Sequence, residues 1–269
     1  MPDKGWLLCD ARNMTPPYPR DLTGPSPVRS VRRQVAALGA VLLLAVVVTT
    51  LPLRSSGRVA ERAPTGSVRS VSAPPVPTHP SAGAGTFAFA DGGSPTYGRA
   101  GPLWRYAVAV EHGSGQDPAD FAAAVDATLA DGRSWVGSGG LRVRRVADAA
   151  DADFVVHLAT SRTSAQMCAT GGLHTEGYTS CRLPGTVIVN LDRWMTAVPG
   201  YGAPLAVYRA YVVNHEVGHE FGEGHEACPG PGRPAPVMQQ QTYGLAGCVA
   251  NPWPYPDGAR YAGPPVDGV

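Results

Sequence analysis

The stretch HEVGHEFGEGH, His215–His225, leaves the chain few ways to fold locally. Its first half continues a helical pattern that begins in APLAVYRAYVVNHEVGHEFG (203–222), where Pro204 stands at a helix start. Residues four apart on a helix are separated by about 40° around its axis, so His215 and His219 share a face one turn apart. That spacing lets two imidazoles hold one metal ion. Tyr208 and Val212 extend the same stripe into a core. Glu216, beside the first histidine, can reach a water on such an ion without being a ligand. His225 lies six residues beyond His219 and on a continued helix would face the other way. It joins the other two only if the chain turns sharply. Gly222 stands where that turn must come, because glycine takes a positive φ at little cost.

The rest of the chain divides into regions. Val35–Leu53, VAALGAVLLLAVVVTTLPL, runs for nineteen residues without a charge. At 1.5 Å per residue it nearly crosses a hydrocarbon core of about 30 Å. It is longer than the apolar run of a secretory signal, and no small-residue cleavage site follows it. We therefore expect a single transmembrane anchor over 34–53, with a cleaved signal and secretion as the alternative. Arg20, Arg29, Arg32 and Arg33 before it balance Arg54, Arg58, Arg62 and Arg69 after it, so basic residues do not orient it. The cysteines do. Cys9 is alone on the N-terminal side, whereas Cys168, Cys181, Cys228 and Cys248 form an even set that fits two disulfides in an oxidising compartment. Residues 1–33, rich in Pro and Arg, then read as a disordered cytoplasmic tail, and 54–96 as a Pro/Ser/Gly/Ala-rich linker. Residues 97–269 read as one extracytoplasmic domain. Its twelve basic and sixteen acidic groups from residue 96 onward give no reason to expect nucleic-acid binding.

Within that domain, LWRYAVAVE (103–111), LRVRRV (141–146), DFVVHLA (153–159) and GTVIVNLDRW (185–194) read as strands. DPADFAAAVDATLAD (117–131) reads as a helix, with Asp117 as N-cap, Pro118 at its first position, and Phe121, Val125 and Leu129 on one face. The stretch 161–184 reads as a loop or hairpin. The order is α/β (α+β), with enough residues for one core.

The spacing H-E-x-x-H-x-x-G-x-x-H resembles the zinc signature of the metzincin metallopeptidases, matched by His215, Glu216, His219, Gly222 and His225. PAPVMQQQTYG (234–244) resembles the turn that carries a methionine beneath the metal in that group, with Met238 in that role. The motif HEACPGPGRPAPVMQQQT with GCVANPWPY (247–255) also resembles a group of membrane-anchored actinobacterial proteins with metzincin-like domains. The resemblance covers roughly residues 96–260. It implies a twisted mixed sheet, an active-site helix ending at Gly222, and Zn²⁺ held by His215, His219 and His225. It implies Glu216 as general base toward water on the metal, and a protein or peptide substrate lying along an edge strand, which we place at 185–191. Several metzincins have a tyrosine two residues after the methionine. Here that position is Gln240, and Tyr243 further on is expected in the core or at the rim. A monomer is expected.

Two alternatives share these residues. A cell-wall peptide amidase would use the same site on another substrate. A catalytically silent binding module would hold a structural zinc, with Cys228 as a possible fourth ligand. The presence of Glu216 favours catalysis over the second. The four cysteines allow three pairings; Cys228–Cys248 would clamp the methionine turn and Cys168–Cys181 would close the loop before 185–191. Glu220, Glu223 and Glu226 surround the motif and read as a solvated face, with support of the site or repulsion of acidic substrates as alternatives, and His112, His157 and His174 read as ordinary surface or core histidines. Asp148, Asp151 and Asp153 lack the Gly and distal Glu of a calcium loop and read as the turn before a strand.

Overall fold

A computed structural model describes residues 79–266 of the chain. The tail expected at 1–33, the anchor at 34–53 and the linker as far as residue 78 lie outside the described residues. Among the described residues no helix is long and apolar enough to cross a membrane.

The chain runs β1 (Phe87–Phe89), β2 (Leu103–Glu111), α1 (Pro118–Ala130), β3 (Arg142–Arg145), β4 (Phe154–Ala159), α2 (Ser161–Ala169), β5 (Cys181–Leu183), β6 (Thr186–Asn190), α3 (Leu191–Thr196) and α4 (Leu205–Glu220). The strands make one mixed sheet in the order β1-β2-β4-β6-β5, with β3 also on β2. Pairs β2–β3, β2–β4 and β4–β6 are parallel, while β1 and β5 run antiparallel to their neighbours. Alternation divides the side chains between two faces. Val187 and Val189 of β6 join Tyr106, Val108, Val156 and Leu158 in the main core, under α1, α3 and α4. Ile188 points the other way, into a smaller cluster with Ala159, Cys168 and Cys181 beneath α2.

The N-terminal boundary of the domain is earlier than residue 97. Residues 79–96 fold onto the sheet rather than extending the linker. Phe87–Phe89 pair with Ala109–Glu111, His79 bonds Asp192 at 2.9 Å, and Arg162 N donates to Ser81 O. The fixing point is Glu111, a buried carboxylate that accepts from Gly85 N, Thr160 N and Thr163 Oγ1. Only three strand residues, FAF, stand among Pro, Gly and Ser, so the stretch keeps the composition of a linker.

Two further expectations need correction. The region 161–184, expected as a loop or hairpin, does enter a hairpin, since β5 pairs antiparallel with β6, but it also contains the helix α2. Its Ser and Thr content hides a short helix whose Thr163, Ser164 and Cys168 are buried. The strand read over 185–194 stops at Asn190, whose side chain caps α3 by accepting from Asp192 N at 2.9 Å. The remaining elements stand where the pattern puts them, and Asp117 caps α1 by accepting from Ala119 N and Asp120 N.

A candidate metal centre between a helix, a turn and a strand edge

Helix α4 carries the first two histidines inward. Tyr208, Val212, His215 and Glu216 are all buried, so its stripe runs from the core into the site. The helix ends where the sequence requires. Gly222 has φ +92°, Gly222 N donates to His219 O, and Glu223 N reaches back to Gly218 O at 3.0 Å. These two bonds form a Schellman termination, which favours glycine at the left-handed position. The chain then doubles back and brings His225 beside His219, with Nε2 atoms 3.1 Å apart. One ligand atom from each of His215, His219 and His225 lies within 4.8 Å of the other two.

The tautomers follow from the backbone. His215 Nδ1 is 2.8 Å from Val237 O, and His219 Nδ1 is 2.8 Å from Glu223 O. A carbonyl can only accept, so both rings carry their proton on Nδ1 and present a bare Nε2. Burial pushes the pKa of His215 down to about 3, with further lowering by His219 and His225. Burial and then His219 push His225 down to about 4. His219 is lowered too, by burial first and then by Arg182. The three imidazoles are therefore neutral at neutral pH, with lone pairs converging. Nitrogens at about 2.0–2.1 Å from a tetrahedral ion stand roughly 3.3 Å apart, close to the His219–His225 separation, so the donor set fits a zinc ion.

Glu216 has only 6 % of its surface exposed and has no hydrogen bond among the described residues. Burial pushes its pKa up to about 8. It opens on the same cleft as the histidines, a space of about 980 Å³ also lined by Leu173–Thr175, Thr179–Arg182, Tyr211, Gln240, Thr242 and Tyr243.

Met238 is fully buried and packs against Gly218 of α4. A Cβ on Gly218 would come within 2.6 Å of Met238 Sδ and of Trp135 Cζ2, so this glycine between the histidines permits the close approach. Three tyrosines brace the turn: Tyr201 OH donates to Gln241 Oε1, Tyr211 OH donates to Gln239 O, and Tyr208 OH bonds Thr242 Oγ1. Cys228–Cys248 closes the segment around the turn, and Cys168–Cys181 ties the end of α2 to the start of β5. Cys228 thus carries no free thiolate for a metal. Tyr243 is at the rim, 63 % exposed and stacked on Tyr178 at 5.9 Å between ring centres.

Several residues were not apparent as part of the site. Glu220 is not on a solvated face; its carboxylate accepts from Arg182 Nε at 2.6 Å and from Gly185 N. Glu226 pairs with Arg260 at 2.8 Å, and the same guanidinium reaches Glu223 at 3.3 Å. Arg260 belongs to a strap, 260–266, that holds the third histidine's loop: Val266 N donates to His225 O and Ala227 N to Pro264 O. The pairing partners lie about 35 residues from the motif, a distance at which local spacing carries no signal. The edge of the sheet beside the cleft is β5, not 185–191, since β6 is paired on both sides. His157 lies on β4 with its Nδ1 unpaired among the described residues and its ring edge-on to Phe87.

Fold and site together define a mixed-sheet domain with a three-histidine centre at the end of a core helix. A family model described as a protein of unknown function, DUF3152, matches residues 73–247, more than half of the chain, and the chain belongs to that family. No curated protein and no solved structure matches it.

Proposed function

We propose that this protein is a zinc-dependent metallopeptidase of metzincin type that hydrolyses peptide bonds on the outer side of a membrane. One observation carries the reading: three neutral imidazoles converge beside a buried carboxylate that has no hydrogen-bond partner among the described residues, all on one cleft. His215, His219 and His225 would hold the ion and leave the rest of its coordination open, as a catalytic site needs. Once bound, zinc supplies Lewis-acid polarisation of the scissile carbonyl and lowers the pKa of water. Glu216 does the proton work. Its carboxylate takes a proton from the attacking water and hands it to the leaving amine nitrogen. Burial raises its proton affinity in the metal-free chain, and a cation held by the histidines would oppose that rise and keep the carboxylate ionised for the attack.

A peptide substrate is supported by β5, a strand edge beside the cleft that can pair with an extended chain. The helix ending at Gly222, the returning His225 and the buried Met238 support the metzincin likeness. Two disulfides support an oxidising compartment. Attachment to the membrane through 34–53 is part of the same proposal.

The test is zinc content together with hydrolysis of a peptide library by the full chain. The native protein should carry about one zinc. Glu216→Ala should keep it and lose hydrolysis by about 10²–10⁴-fold, while His219→Ala should lose both. A folded native chain that takes up no zinc, or full hydrolysis by Glu216→Ala, would sink the proposal.

A further inference from the structure

The cleft holds one cation that the chemistry above does not use. Strand β5 alternates, so Cys181 enters the small core beneath α2 and Arg182 turns to the opposite side, over α4. There it lines the cleft with His215, Glu216, His219 and His225. This is an unfavourable place for a guanidinium. Its positive charge stands on the same cleft as three residues that would hold a cation.

Glu220 offsets the charge and also aims it. The carboxylate is nearly buried, is fixed by Gly185 N, and takes Arg182 Nε at 2.6 Å. Arg182 keeps 26 % of its side chain exposed, and its two Nη groups have no partner among the described residues. Neither of the other acids lining the cleft satisfies them: Glu223 turns to Arg260, and the buried Glu216 makes no hydrogen bond among the described residues. Stability alone does not explain such a pair, since apolar residues usually serve a buried position as well or better. Nearby, Thr175 also lines the cleft and has a buried hydroxyl without a partner among the described residues.

A guanidinium with two free, parallel donors matches a carboxylate in bidentate fashion. We propose that Arg182 recognises a carboxylate of the substrate beside the histidine centre, which makes acidic peptides the substrate class of this cleft. This rests on the zinc-peptidase reading. The carboxylate belongs to an acidic side chain or to a peptide C-terminus, and Glu220 is the residue that positions Arg182 for either.

Three peptide probes with a succinyl hydroxamate at one end test this by calorimetry on the zinc-loaded full chain. One ends in glutamine amide, one in glutamate amide, and one in glutamine with a free carboxylate. At least one acidic probe should bind roughly tenfold or more tightly than the neutral one. The glutamate amide identifies side-chain recognition and the free acid identifies a C-terminus. Arg182→Lys retains a charge to pair with Glu220 but offers no fork, so it should bring the ratio near one. Arg182→Gln combined with Glu220→Gln, which leaves no buried charge unpaired, should do the same. Equal affinity for all three probes on a zinc-bound chain would overturn the role of Arg182 and leave the metal reading standing. So would an acidic preference that survives in both variants. A folded chain that binds neither zinc nor any probe would overturn both.

Discussion

Glu216 gives the most demanding test of the centre. Its carboxyl is buried without a hydrogen bond among the described residues, and its pKa rises from 4.5 to about 8 in the folded chain. Between those values the folded state keeps a proton that the unfolded state releases. Stability is therefore undiminished below pH 4.5, falls as pH rises from 4.5 to about 8, and stays low beyond. At about 1.36 kcal/mol per pH unit, the interval from 4.5 to 7 amounts to about 3 kcal/mol. Glu216→Gln keeps the shape of the side chain and removes its charge. Freed of metal by a chelator, that variant should exceed the native chain by about 3 kcal/mol at pH 7 and by almost nothing near pH 4. For a domain of this size the gain corresponds to roughly 6–12 °C in Tm. Urea unfolding of both proteins at the two pH values measures it, and the histidines, common to both, cancel in the difference. Equal stability at pH 7 as well as at pH 4 would refute the argument that this carboxylate is buried at the cost of its charge.

Other consequences follow from the same geometry. Gly218→Ala should destabilise the fold by about 1–3 kcal/mol, read from the denaturation midpoint, because its Cβ meets Met238 and Trp135 at 2.6 Å. Arg260→Ala should weaken zinc retention about 10–100-fold in chelator competition, with Arg260→Lys intermediate, because the guanidinium holds Glu223 and Glu226 on either side of His225. Zinc affinity should stay level from pH 8 through pH 6.5 and be lost only at more acidic pH in equilibrium dialysis. Imidazoles with depressed pKa values stay neutral below 6.5 and need not lose a proton to bind; a loss already beginning at pH 6.5 would contradict this.

Helix α4, its glycine stop and the convergence of three histidines were legible because each is a local requirement of helix geometry. The disulfide partners were one choice among three, and only the fold brings Cys228 to Cys248. Strand β1 was hidden because three residues cannot show a period, and its partner lies beyond the next turn of chain. The Ser- and Thr-rich α2 was hidden because its buried face is polar: Thr163 bonds Glu111, a contact across 52 residues. Arg182 and Arg260 carried no local signal, since their partners Glu220 and Glu226 stand 38 and 34 residues away. Gly218 looked interchangeable within the motif until Met238 and Trp135 closed on it.

The strap at 260–266 sets an order of assembly. Two histidines are placed by a helix that can form as soon as it is synthesised, but the backbone of the third is held by Val266. A ribosome must therefore deliver some forty residues beyond His225 before the centre is complete. During synthesis the growing chain carries its three histidines and Glu216 without the arrangement that joins them. Under the proposed function, the chain would stay inactive toward its own nascent neighbours until synthesis has passed the strap.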